Sequence, residues 1–167
     1  KDFRINKFRI LSGHSAGGQF VLYTLSSEPA LFNAYFSISP SLDWDDNLPQ
    51  RSLDYSFEQT DSLKAFLYFA WSDDLGEALA NDLRLFETLE TKSPKEFRWV
   101  GKGFPDETHA SITLPAQIDA LRQLYSGYRL HNDLLVKGFN FAEKHFKEVS
   151  NKVGYTIPVP EGVINNF

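Results

Sequence analysis

The chain has 167 residues, 42% hydrophobic and 15% aromatic, which is enough for a compact domain with a packed core. A formal net charge of −5 without a dense Lys/Arg stripe argues against nucleic acid and anionic membranes as partners, and no stretch approaches the ~20 apolar residues of a membrane span. The lack of cysteine excludes disulfides and thiolate chemistry and is compatible with a cytoplasmic, periplasmic or secreted setting alike.

The sequence contains no methionine and begins at Lys1, so it is expected to be a piece of a longer protein, with any targeting signal upstream. Lys7–Leu11 reads as a short strand ending at Ser12-Gly13. A helix is predicted from near Ser15 to about Ser27, stopped by Pro29. Ala34–Ser39 is a second strand closed by Pro40. Residues 41–63, acidic and broken by Pro49, read as an irregular surface excursion. Ala65–Trp71 is an unbroken apolar run, as in a parallel sheet buried on both faces. Leu79, Leu83, Phe86 and Leu89 then fall at helical spacing.

Glu96–Val100 is a fourth strand, followed by the loop GKGFPDETHAS. A helix is predicted from about Pro115, with Leu114, Ile118, Leu121, Tyr125 and Tyr128 on one face. This alternation predicts an α/β fold with a mostly parallel sheet. Residues 132–152 read as a further helix bearing Phe141, Phe146, Val149 and Val153 and stopped by Gly154, before an extended stretch Tyr155–Pro160. Two parts are expected, an α/β portion over 1–130 and a helical extension over 131–167.

The corner LSGHSAGGQF places Gly13-His14-Ser15-Ala16-Gly17 between a strand and a helix. G-x-S-x-G in that setting is a nucleophile elbow, in which the serine hydroxyl stands clear of both elements and small neighbours avoid collision. With Gly and Ser at about 7% each, the three fixed positions match by chance about once in 3,000 windows. The placement between strand and helix is what gives the pattern weight. Amides at the start of the helix then face a developing oxyanion.

A serine needs a base. His109, in the loop after the last strand, is the candidate. His14 lies within the elbow, where it lines a pocket or packs, and His131 and His145 belong to the late helices. The acid that orients the base should come from the turn after the third strand, where Asp74 is preferred and Asp73 and Glu77 compete. The order Ser15, Asp74, His109 is that of α/β-hydrolases. Trp44 is a possible pocket residue.

With these residues in place, SGHSAGGQFVLYTLSSEPALFNAYFSISPSLDWDDN resembles the esterase D and ferric-siderophore esterase group of α/β-hydrolases, which also includes carbohydrate esterases. ETHAS at 107–111 resembles the stretch around that group's catalytic histidine. The resemblance spans about residues 5–130 and implies the C-terminal half of an α/β-hydrolase fold. It also supports Ser15 as nucleophile, His109 as base and Ala16 as an oxyanion amide.

The family sheet has eight strands, with the elbow after the fifth. The missing N-terminal half of the protein is therefore expected to carry the second oxyanion amide and a pocket wall. Losing one such donor costs ~10²–10³ in rate, so these residues alone are expected to make a poor enzyme with an exposed first strand. The ending NKVGYTIPVPEGVINNF resembles the segment after the esterase domain in bacterial members, some of which continue into tetratricopeptide-type repeats.

The expectation from sequence is a serine hydrolase cleaving a small-molecule carboxylic ester (siderophore, carbohydrate or simple acyl) through an acyl-enzyme. No metal or organic cofactor is implied. A non-catalytic binding module of the same fold, or a thioesterase, peptidase or acyltransferase using the same residues, are the alternatives.

Overall fold

The computed structural model describes residues 7–167; residues 1–6, the start of the expected 1–130 portion, lie outside it. Contacts divide the chain into two compact units, one ending at Leu121 and one spanning Arg122–Phe167.

In the first unit four parallel strands, β1 (Ile10–His14), β2 (Ala34–Ile38), β3 (Phe66–Trp71) and β4 (Arg98–Gly103), lie side by side in chain order. They alternate with α1 (Ala16–Ser27), α2 (Leu48–Glu58) and α3 (Gly76–Lys92), and α4 (Thr113–Leu124) follows β4. Right-handed crossovers between strands in sequential order carry every connecting helix to the same face of the sheet. The core agrees: Val21, Leu22 and Leu25 of α1, Leu53 and Phe57 of α2, and Leu85 and Leu89 of α3 pack with Tyr35, Leu67 and Phe69. Each such side chain contributes about 1.5–3 kcal/mol on full burial.

The alternate strand residues Phe36 and Tyr68 point to the other face. There the Tyr68 hydroxyl donates to Asp119 of α4 at 2.8 Å, and the Lys102 ammonium pairs with Asp119 at 3.0 Å. Both faces are covered, which is why β2 and β3 are apolar but for Ser37, whose buried hydroxyl donates to the Gly18 carbonyl at 3.0 Å.

Strand–strand pairing moves two boundaries. β1 runs on through Ser12 and Gly13 because the whole segment pairs with β2, from Ile10 opposite Ala34 to His14 opposite Ile38. β4 likewise runs through Gly101 and Gly103, which sequence reading gave to a loop. A Cβ at Gly101 would come within 2.6 Å of the Phe86 ring, and one at Gly103 within 3.0 Å of the Trp71 indole, so these glycines are packing positions.

The excursion at 41–63 is not irregular: it holds α2, with Pro49, Gln50, Leu53 and Phe57 buried. Asp45, Asp46 and Asn47 form a left-handed approach (φ 48, 53 and 58°) that Asp and Asn tolerate, and Pro49 suits the first turn. The acidic residues that suggested a loop are exposed, except Asp54, which is half-buried on α2.

On α3 the buried apolar residues are Leu85 and Leu89, whereas Leu83 is exposed. On α4 the residues against the sheet are Ile112, just ahead of the helix, and Ala116 and Ala120, while Leu114, Ile118 and Leu121 face out. The buried stripe carries the smaller side chains, and spacing does not reveal which of two stripes is turned inward.

In the second unit the helix expected over 132–152 is broken at Gly138 (φ 86°) into a 3-10 turn, Asn132–Lys137, and α5, Phe139–Val153. Gly154 ends α5 in the left-handed conformation, as expected. Leu130, Ala142 and Phe146 form a small core with Ile157, Val159 and Val163, the last on α6 (Glu161–Ile164). Among the described residues no helix is long and apolar enough to cross a membrane.

Candidate active site

Ser15 follows β1, Ser39 follows β2, Ser72 and Asp74 follow β3, and His109 lies in the loop after β4. All stand at the carboxyl edge of the sheet, where open α/β sheets bind their ligands.

Ser15 has φ 58° and ψ −122°, a conformation that costs a non-glycine residue of order 1–3 kcal/mol and persists only when its surroundings impose it. They do so here. Its amide donates to the Ile38 carbonyl at 3.0 Å, and its carbonyl accepts from Gln19 N–H at 3.0 Å and Ser41 N–H at 3.2 Å. A Cβ on Gly13 would collide with the Gly17 carbonyl, and one on Gly18 would sit 3.0 Å from the Ile38 carbonyl and 3.1 Å from Pro40 Cα. Gly17 differs from the expectation, since a Cβ there meets nothing within 4 Å. The corner needs Gly13 and Gly18 for closeness, whereas Gly17 faces open space. Ala16 opens α1, so its N–H has no partner within the helix.

The loop bearing His109 is tied down on two sides. The Asp73 amide donates to the Glu107 carbonyl at 2.9 Å, and His14 Nε2 donates to the His109 carbonyl at 2.6 Å. A carbonyl only accepts, so this bond places a proton on His14 Nε2. The two imidazole centroids are 4.6 Å apart.

Among the described residues neither Ser15 Oγ nor Asp74 bonds the His109 ring. Its Nδ1 instead meets Ser39 Oγ at 2.9 Å, Ser39 Oγ lies 3.3 Å from Ser72 Oγ, and the Ser72 hydroxyl donates to Asp74 Oδ2 at 2.8 Å. The Ser72 amide donates to the same oxygen at 3.1 Å. Of the competing acids, Asp73 is exposed, and Glu77 borders the cavity below but is exposed as well.

Sequence reading missed Ser39, Ser72 and Asp82. Ser39 is 3% exposed and has φ 40°, a strained hydroxyl at the end of a buried strand, the place where the sheet presents its chemistry. Its one sequence signal was a polar residue closing an apolar run just before Pro40. Asp82, on α3, is buried, and burial first and the nearby Asp74 second push its carboxyl up to about 8. It borders a cavity of about 230 Å³ together with His109, Ser39, Asp74 and Asp43.

A second cavity, about 380 Å³, is walled by Ala16, Phe20, Tyr23, Trp44 and Pro49. Trp44 lines this second cavity, whereas His14 borders neither. Among the described residues no group of three or more His, Cys, Asp or Glu side chains is placed to hold a metal ion.

The sequence is 30% identical over 141 residues to the ferri-bacillibactin esterase BesA of Bacillus subtilis (strain 168), covering 80% of this chain and 47% of that protein. The fold matches an IroE-like serine hydrolase from Shewanella oneidensis with a TM-score of 0.85 at 20% identity, over 98% of this chain and 53% of that one. It also matches the siderophore hydrolase EstB from Aspergillus nidulans, with a TM-score of 0.59 at 19% identity over 69% and 48% of the two chains. No family model matches the sequence. The chain spans about half the length of these relatives.

Proposed function

We propose that this chain, a relative of the ferric-siderophore esterases with an α/β-hydrolase fold, carries the nucleophile, base and one oxyanion donor of a serine carboxylic-ester hydrolase. The observation that carries this reading is the strained Ser15 between β1 and α1, next to a residue bonded to His109.

Ser15 Oγ attacks the ester carbonyl as His109 Nε2 takes its proton. The Ala16 N–H stabilises the tetrahedral oxyanion. His109 returns the proton to the departing alcohol, leaving an acyl group on Ser15. Water, deprotonated by the same imidazole, then releases the acid. The acidic cavity beside His109 and the apolar cavity beside Ala16 give the leaving group and the acyl group separate surroundings.

Acid quenching during turnover of a p-nitrophenyl ester, followed by peptide mass analysis, tests this. The expected result is an acyl adduct on Ser15, absent from Ser15→Ala. Ester turnover that survives Ser15→Ala would overturn the reading.

A further inference from the structure

We infer that Asp74 orients the catalytic base through two buried hydroxyls, Ser39 and Ser72, and that this relay sets which nitrogen of His109 carries the proton. The inference rests on the hydrolase reading above for its purpose, but its geometry stands independently.

The protons of the chain can be counted. Each serine has one hydroxyl proton. That of Ser72 is given to Asp74 Oδ2 at 2.8 Å. Ser72 Oγ therefore has only lone pairs to offer Ser39, and Ser39 must donate across the 3.3 Å contact. The Ser39 proton is then spent, so its Oγ receives a proton from His109 Nδ1 at 2.9 Å. The opposite assignment would leave two oxygen lone pairs facing each other between Ser39 and Ser72, in a place where both residues are buried, 3% and 4% exposed. Unpaired polar groups are costly there.

One arrangement survives. His109 Nδ1 bears the proton and Nε2 is left with the lone pair needed to deprotonate Ser15. The direction of the whole chain is fixed by the acceptor at its end, which the Ser72 amide also holds at 3.1 Å. The left-handed φ of Ser39 places its Oγ between the ring and Ser72, a strained backbone maintained where it serves the site. Ser39, Ser72 and Asp74 are positioning residues, since they act through His109.

Nitrogen-15 NMR of the histidine ring tests the relay without requiring turnover. At a pH where His109 is neutral, the expected form carries the proton on Nδ1. Ser39→Gly, which suits the positive φ, and Ser72→Ala each break the chain and should move the ring toward the Nε2–H form. Ser72→Thr, which restores a hydroxyl, should return it. In parallel, kcat should fall about 10–100-fold with KM little changed in the two broken variants, the same range as when the hydrogen-bond partner behind a metal-ligating histidine is removed.

An Nε2–H ring in the unsubstituted protein, or a tautomer indifferent to both variants, overturns the relay even if Ser15 forms an acyl adduct. An Nδ1–H ring that responds to both variants upholds it even if Ser15 forms no adduct, in which case the hydrolase reading alone fails.

Discussion

His14 Nε2 donates to the backbone oxygen of His109 at 2.6 Å, so the residue immediately before the proposed nucleophile holds the loop of its proposed base. Two elements 95 positions apart in sequence are fastened at the point where their side chains must cooperate. His14→Ala removes this bond. It should lower stability by about 1 kcal/mol and kcat by up to about 10²-fold, the cost of a small misplacement of a reacting group. Urea unfolding and ester kinetics on one preparation check both; an unchanged kcat would show that the loop holds its position without His14.

The glycines of the elbow separate into two kinds. Gly13→Ala drives a methyl group into the Gly17 backbone, which has little freedom to yield, and should destabilise the protein by about 3 kcal/mol. Gly17→Ala enters open space and should be neutral or stabilising by up to about 1 kcal/mol. Thermal unfolding of the two variants compares them directly, and equal losses would contradict the packing described.

Asp82 should make stability depend on pH. Its carboxyl is raised from the ordinary 3.8 to about 8, by burial and by Asp74, so between those values the folded state keeps a proton that the unfolded state has lost. Stability therefore falls as pH rises through that window, by at most about 1.4 kcal/mol per pH unit, and levels off above it. Asp74, Glu77, Asp43 and His109 border the same cavity. Asp82→Asn should flatten it, as read by denaturant titrations from pH 5 to 9. An unaltered slope would contradict a neutral buried Asp82.

The apolar cavity beside Ala16 should favour longer acyl chains. At about 0.8 kcal/mol per buried CH₂, a butyryl ester should exceed an acetyl ester in kcat/KM by about tenfold. Trp44→Ala, which removes one wall, should shrink that ratio; a ratio that Trp44→Ala leaves intact would place the acyl group elsewhere.

The strands, the elbow and the histidine loop were legible because each rests on local signals: unbroken apolar runs, Gly13 and Gly17 flanking Ser15, and a polar loop between a strand and a helix. What was not legible depends on partners distant in sequence. Gly101 and Gly103 read as loop residues because nothing local shows the Phe86 and Trp71 rings lying over them. The buried stripe of α4 was not legible because Ala116 and Ala120 are weaker apolar signals than Leu114 and Ile118. Ser39 and Ser72 were hidden for a related reason. A serine becomes a relay only when folding sets one beside an imidazole and the other beside a carboxylate, and no spacing of types records that.

The most direct test of the central claim is labelling with a fluorophosphonate probe, read by mass at the tryptic peptide that contains Ser15, on the chain and on Ser15→Ala. The expected result is a phosphonyl adduct on Ser15, lost in the variant and slowed in His109→Ala. A folded protein whose Ser15 stays unmodified, or an adduct that persists in Ser15→Ala, would contradict the assignment of Ser15 as an activated nucleophile.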